Sequence, residues 1–268
     1  VSAERDRLKA AKDGDTDWRA WGPYVSTRQW GTVREDYSAD GSAWDYLPHD
    51  AARSHAYRWG EDGIGGLSDE KQFLCVTLAL HNGQDAIMKE RFFGLNNSEG
   101  NHGEDVKELW WYLDATPTGS WARMLYKYPQ GAFPYKQLVD ENARRSQKDP
   151  EFELVDTGIF DEDRYWDVFI EQGKADAEDL LYRVRVTNRG PEEATIQVLP
   201  QLYFRNTWSW TKDAERPQIT AGSEPGRLIL EHPELGTMHA AIDGEGTLLW
   251  CENDTNVERF DGEKRGDR

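Results

Sequence analysis

From Gly66 onward the chain is written in short apolar runs separated by Gly, Pro and Asn turns, and this pattern confines it to a mainly β fold. Residues 72–81 are strand-length and apolar and end at Asn82 and Gly83, a strong turn signal, so residues 86–95 are expected to return as their partner. Runs at 106–113 and 123–128 follow, with turns at Pro117 and Pro129. Residues 151–155, 165–171, 194–204, 227–231, 238–242 and 247–251 read as further strands, with Pro200 at a bulge or edge. Residues 179–187 alternate: Leu181, Arg183, Arg185 and Thr187 face one way, Tyr182, Val184 and Val186 the other. Some ten strands at short intervals suit one large two-sheet antiparallel β-sandwich (a super-β-sandwich) with one or two short helices.

The helices are expected at 2–12 and 135–146. Ser2 can cap the first, Glu4 and Asp6 suit its positive end and Gly14 can stop it. In the second, Leu138 and Val139 fall at helical spacing with Tyr135 and Asn142. Between Trp18 and Gly66 no period holds, yet nine Trp and Tyr residues are scattered there, so this stretch is expected to bury its rings against a surface. The organisation expected is a helical lead over 1–17, a sandwich over 18–260 and a charged tail or linker over 261–268.

Composition closes off several classes. Lys plus Arg number 32 against 50 Asp plus Glu, a net charge of −18, which repels nucleic-acid phosphates and anionic lipid. No apolar run nears the ~18 residues of a membrane helix. Twelve Trp argue against disorder. The two cysteines, Cys75 and Cys251, cannot make a disulfide framework or zinc cluster, and as members of apolar runs both are expected buried and reduced. No basic-then-apolar leader is in view, so a cytoplasmic setting is the expectation. No nucleophile elbow, phosphate loop, dinucleotide fingerprint or paired-Cys motif occurs, and no cofactor is expected.

Four polar stretches could carry chemistry, and each also has an ordinary structural reading. Glu61 and Asp62 sit between glycines after Trp59: two acids for sugar hydroxyls beside a stacking ring, or a solvated acidic turn. Asn101, His102, Glu104 and Asp105 lie in a Gly-punctuated loop that could hold a hydroxyl-rich ligand or a hard cation, or could only satisfy its own backbone. The EF-hand spacing and a second spaced His or Cys are missing, so no metal is expected. Glycoside hydrolysis needs two carboxyls, but among 50 acids a pair proves nothing from sequence. Residues 151–167 hold seven acids interleaved with aromatics, which reads as a solvated hairpin with a buried aromatic side. Arg205 and Trp208 lie in an aromatic run suited to stacking and bonding a sugar, or to closing a core.

Several blocks resemble the N-terminal part of bacterial glycoside hydrolase family 63 proteins, similar to processing α-glucosidase and mannosylglycerate hydrolase. They are residues 21–24 (WGPY), 28–37 (RQWGTVREDY), 57–63 (YRWGEDG), 89–91 (KER), 101–108 (NHGEDVKE) and 204–210 (FRNTWSW). Ala51 and His81 depart from the pattern, where a second His and an aromatic are expected. The resemblance implies a β-sandwich joined to a C-terminal (α/α)6 barrel that hydrolyses α-glycosidic bonds with inversion and carries both catalytic acids. No paired long helices follow Trp250, so the barrel is expected to be absent from this chain and no catalytic residue is assigned. The implied role is the non-catalytic sandwich, packed on the barrel and shaping the sugar entrance with Trp59, Glu61, Asp62, Asn101, His102, Glu104, Asp105, Arg205 and Trp208. The partners are then that barrel and an oligosaccharide or glycoside. Two other classes stay open: a free-standing carbohydrate-binding module, and an autonomous glycosidase using Glu61, Asp62, Glu104 or Asp105.

Overall fold

The computed structural model describes residues 2–24, 49–57, 63–95, 99–103 and 105–261. Among them the chain forms four α-helical segments, α1 (Ala3–Asp13), α2 (His49–Ala52), α3 (Tyr135–Arg144) and α4 (Val257–Asp261). It forms thirteen strands, β1 (Trp21–Gly22), β2 (Ile64–Asp69), β3 (Leu74–His81), β4 (Gly94–Leu95), β5 (Asp105–Val106), β6 (Leu109–Ala115), β7 (Trp121–Pro129), β8 (Tyr165–Asp176), β9 (Asp179–Asn188), β10 (Gln197–Phe204), β11 (Gln218–Ala221), β12 (Arg227–His232) and β13 (Gly236–Ala241). Every pairing between strands is antiparallel. The protein is mainly β, and no described helix is long and apolar enough to cross a membrane.

Two four-stranded sheets make the sandwich, one ordered β1-β2-β3-β10 and the other β6-β7-β8-β9. Their facing sides meet in one core. Ile64, Leu78 and Leu80 come from the first sheet, and Met124, Tyr126, Tyr128, Trp166, Val168 and Ile170 from the second. Each such aliphatic side chain contributes roughly 1.5–3 kcal/mol by leaving water. Gly65 brings the sheets close: its φ is +59° and a Cβ there would lie 2.4 Å from Ile170 Cδ1. The Gly65 carbonyl accepts from Gln172 Nε2 (2.8 Å) and Tyr182 Oη (3.1 Å), tying the two sheets through polar atoms as well. The alternation expected over 179–187 is present, with Tyr182, Val184 and Val186 on the core side of β9.

Two smaller units flank the sandwich. The β11-β12-β13 meander closes a cluster of Trp21, Leu74, Phe204, Leu228 and Leu230 at one end. The β4-β5 pair and α3 enclose Phe93, Leu95, Phe133, Leu138, Phe152 and Leu154 at the other. Leu138 and Asn142 lie one turn apart on the buried side of α3, and Asn142 exchanges hydrogen bonds with the Phe152 backbone at 2.9 Å each way.

Several expectations are corrected. The two expected helices are present as α1 and α3, and among the described residues two segments of four and five residues, α2 and α4, add to them. Residues 151–155 are not a strand: Glu153 and Asp156 cap each other and Leu154–Thr157 turns as a 3-10 helix, ended by Gly158 at φ +77°. The return of 86–95 is broken. The Asn82 Oδ1 captures the Gln84 and Asp85 N–H groups, so a wider loop replaces a two-residue turn, and only Lys89 pairs with Leu80 before β4. Residues 247–251 form no strand, because the chain there runs on to Asn253, whose side chain binds Tyr57 and Phe204 backbone. Pro200 lies in the edge strand β10, as expected. Ser2 makes no side-chain cap on α1, whereas Gly14 stops that helix in the left-handed region. Glu4 instead reaches the β6–β7 turn, accepting from Thr118 N–H and Oγ1 (both 2.8 Å) and Ser120 Oγ (2.9 Å). Cys75 is buried, but Cys251 is exposed.

Candidate functional site

Trp59, Glu61, Asp62 and Glu104 lie outside the described residues, as does the tail from 262. The remaining candidates fall in two places. Arg205 follows Phe204, which pairs with Leu74 at the start of β3. Asn101, His102 and Asp105 belong to the β4–β5 end, beside Phe93 and past the Leu80–Lys89 bridge. Six residues of β3 separate the two ends, about 20 Å at ~3.3 Å per residue.

At the β5 end the polar loop is held by the backbone of the loop that follows α3 and by a lysine. Asn101 Nδ2 donates to the carbonyls of Ser146 (3.0 Å) and Asp149 (3.1 Å), and His102 Nε2 meets the Asp149 carbonyl at 2.8 Å. Asp105, Glu151 and Glu153 bring carboxylate oxygens within 4.8 Å of one another, a geometry that could hold a cation. Lys107 Nζ already stands among them, 2.7, 2.5 and 3.0 Å from the three. Burial opposes the charge of Lys107, but these hydrogen bonds outweigh it and hold the ammonium above the ordinary lysine range. Burial raises the Asp105 and Glu153 carboxyls, while Lys107 and Asp105 hold Glu151 below its usual value against desolvation. The loop supplies an internal cation where a metal would otherwise sit. With the ammonium between them, these acids leave no room for the water that an inverting pair needs ~6.5–9.5 Å apart.

Deeper at the same end lies a network the sequence reading did not anticipate. Lys89 and Glu108 form a fully buried ion pair (2.7 Å). Glu108 also accepts from Phe93 N–H (2.9 Å) and Tyr126 Oη (2.8 Å), and the Lys89 ammonium sits 3.5 Å from the Phe133 ring centre. Tyr128 and Tyr135 both donate to Asp85 Oδ2 at 3.1 Å. Burial raises the Glu108 carboxyl although Lys89 opposes it. Every charge here has a partner inside the fold, which suits a clamp on residues 85–93 rather than a ligand site.

The β10 end is built differently. Tyr57 stacks on Tyr203 at 4.3 Å, donates to Glu90 Oε2 (3.1 Å) and lies under the Arg91 guanidinium (5.0 Å). Gln201 joins from β10, accepting from Thr77 Oγ1 at 3.1 Å. Asn206 and Asn253 fasten the neighbouring strands: Asn206 Nδ2 donates to the Asn253 carbonyl (2.7 Å), and Asn253 takes the Tyr57 N–H on Oδ1 (2.8 Å). Arg205 donates to the Lys71 carbonyl (2.9 Å) and lies 5.2 Å from the Trp210 ring, and Arg216 covers Trp208 at 5.1 Å while bonding Glu252. Trp208 is half-buried, but Leu249 is 75% exposed and Trp250 54%. Desolvation and the carboxylates of Glu90 and Glu252 push the Cys251 thiol up, so it is a protonated, weakly nucleophilic group. The exposed Trp210 and Trp250 rings and the Arg205 and Arg216 guanidinium groups can stack a sugar and bond its hydroxyls.

Sequence reasoning placed Arg205 and Trp208 at this rim and missed Tyr57, Glu90, Arg91 and Gln201. Two of the resembling blocks contain three of these four residues, which is the signal that was available.

No family model matches the chain, and no solved structure matches it. A curated relative, "Uncharacterized protein YMR196W" of Saccharomyces cerevisiae, is 44% identical over 298 aligned residues that take in 98% of this chain. The chain spans 27% of that relative's length, so most of the yeast protein lies outside the match.

Proposed function

We propose that this chain is the β-sandwich part of a family 63-like inverting α-glycosidase of the α-glucosidase type. It packs on a catalytic helical barrel and shapes the sugar entrance. The resembling sequence blocks support the family. The role rests on one observation, the exposed rings past the end of β10: Trp210, which lies under the Arg205 guanidinium, and Trp250 are 45% and 54% exposed. A mainly β chain that matches about a quarter of a longer relative (27%) is in keeping with it.

The test is an assay on an aryl α-glucoside, with the 268-residue chain and with the full product of its reading frame. Hydrolysis by the longer product and none by the chain is expected. Hydrolysis by the chain alone would overturn the reading in favour of an autonomous glycosidase. The exposed Trp210 and Trp250 also favour a second reading, a carbohydrate-binding module. Calorimetric binding of an oligosaccharide by the chain, with no hydrolysis by any longer product, would select it.

A further inference from the structure

We propose that the outward face of the β6-β7-β8-β9 sheet is the seat for the rest of a longer polypeptide, which meets it with an apolar surface flanked by carboxylates. This rests on the reading that the chain is one part of a larger protein, and adds where the other part sits.

An antiparallel sheet with one side in water normally keeps that side polar. This one does not. Trp111, Leu125 and Phe169 stand side by side across β6, β7 and β8 in direct register, pointing away from the core. Trp111 is 44% exposed, and Leu181 on β9 is 57% exposed. The guanidinium groups of Arg123 and Arg185 lie 4.4 and 5.1 Å from the Phe169 ring centre. Arg185 makes no ion pair among the described residues.

The charge on this face selects its occupant. Arg123, Lys127, Arg183, Arg185 and Arg189 stand against Asp114, Asp167 and Glu171, a cationic excess in a chain whose net charge is −18. A second copy docked about a two-fold axis would set that excess against itself. An acidic cover completes it, and its apolar part would lie on the Trp111–Leu125–Phe169 row.

Size points to a covalently joined occupant. Strands of ten residues span about 30 Å and four strands about 15 Å, so the face outlines roughly 450 Å². A free partner needs about 800 Å² a side for a stable complex. Attachment in one polypeptide raises the effective concentration enough for a smaller face to stay covered. In the yeast relative, nearly three quarters of the protein lies outside the 27% matched here.

Hydroxyl-radical footprinting tests this on the 268-residue chain and on the full product of its reading frame. Oxidation of Trp111, Phe169 and Leu181 is expected to fall about fivefold or more in the longer product, since a closed interface excludes water. Val155, exposed on the α3 side, is the control. Leu181→Glu in the longer product should return Trp111 to the oxidation rate of the isolated chain, with the circular dichroism of the sandwich unchanged. Equal oxidation in the two proteins would overturn the proposal. So would concentration-dependent protection in the chain alone, which would assign the face to a second copy. Protection without glucosidase activity would leave the interface standing and remove the glycosidase reading, and hydrolysis without protection would do the reverse.

Discussion

The two sheets of the sandwich are buried in different ways. In the β1-β2-β3-β10 sheet, every residue of β2 is buried and six of eight in β3 are buried too. Tyr57 lies over the side that faces away from the core, against Cys75 and Tyr203, with Glu90 and Arg91 beside its ring. In the other sheet, β7 and β9 alternate along all but their last residues, so one side is covered more than the other. The first sheet is finished within this chain. The second carries aromatic and cationic side chains on a side that nothing among the described residues covers.

The comparison can be broken most easily at its buried charges. Lys89→Met leaves the fully buried Glu108 without its ammonium and is expected to cost about 3–5 kcal/mol. Lys107→Met strands three carboxylates that still reach water, and should cost about 1 kcal/mol. Urea unfolding midpoints compare the two, and equal losses would mean that the Lys107 loop is as enclosed as the clamp. With Lys107 removed, the oxygens of Asp105, Glu151 and Glu153 become free to take a divalent cation. Millimolar calcium should then raise the midpoint of this variant and leave the parent unchanged.

Packing gives the next largest contrast. Leu78→Ala, in the strand covered on both sides, should cost about 3–4 kcal/mol, or roughly 10 °C in Tm for a chain this long. Phe169→Ala on the open side should cost less than about 1.5 kcal/mol. A cost for Phe169 as large as that for Leu78 would mean the outer side is already covered.

The contact between the sheets is sharpened by Gly65→Ala. The left-handed backbone and the approach to Ile170 Cδ1 together should cost about 2–3 kcal/mol. In an Ile170→Val background, which removes Cδ1, part of that cost should disappear. If it does not, the backbone conformation alone decides.

The smallest expected effect is pH-dependent and belongs to the open side. Burial opposes ionisation of Asp167, but Lys127 and Arg189 outweigh it and hold the carboxyl below its usual range. A depressed carboxyl stabilises the fold above the unfolded value of about 3.9 and loses that contribution as pH falls through its folded value. The stability gap between the parent and Asp167→Asn should therefore be full at pH 7 and shrink as pH is lowered toward 3. A gap that does not change with pH would show that the ion pairs with Lys127 and Arg189 add nothing.

Much of the sandwich was legible because it follows local rules. The alternation over 179–187 set the faces of β9, the Leu138–Asn142 spacing set α3 and Gly14 stopped α1 where expected. The misreadings share a cause. Residues 151–155 alternate like a strand, but the Glu153–Asp156 caps and the Asn142 side chain claim that backbone first. Residues 247–251 are apolar like a strand, but Asn253 binds the chain to Tyr57 and Phe204. A side chain that bonds backbone leaves no periodic trace in sequence. The candidate site was half legible: Arg205 and Trp208 stand out as aromatic-flanked polar residues, whereas Tyr57 and Glu90 become neighbours of Gln201 only when β3 and β10 pair.

The sequence by itself determined a mainly β chain of strongly negative charge, its two principal helices and the inward sides of its alternating strands. Those follow from period and composition, which act over a few residues. Tertiary structure alone decided that Lys107 fills its own ring of acids, that Lys89 and Glu108 meet in the core, and that one sheet keeps an apolar side open. These depend on which distant segments are brought within a few ångströms. Burial then sets the strength of each charge, and coverage sets the consequence of each exposed ring.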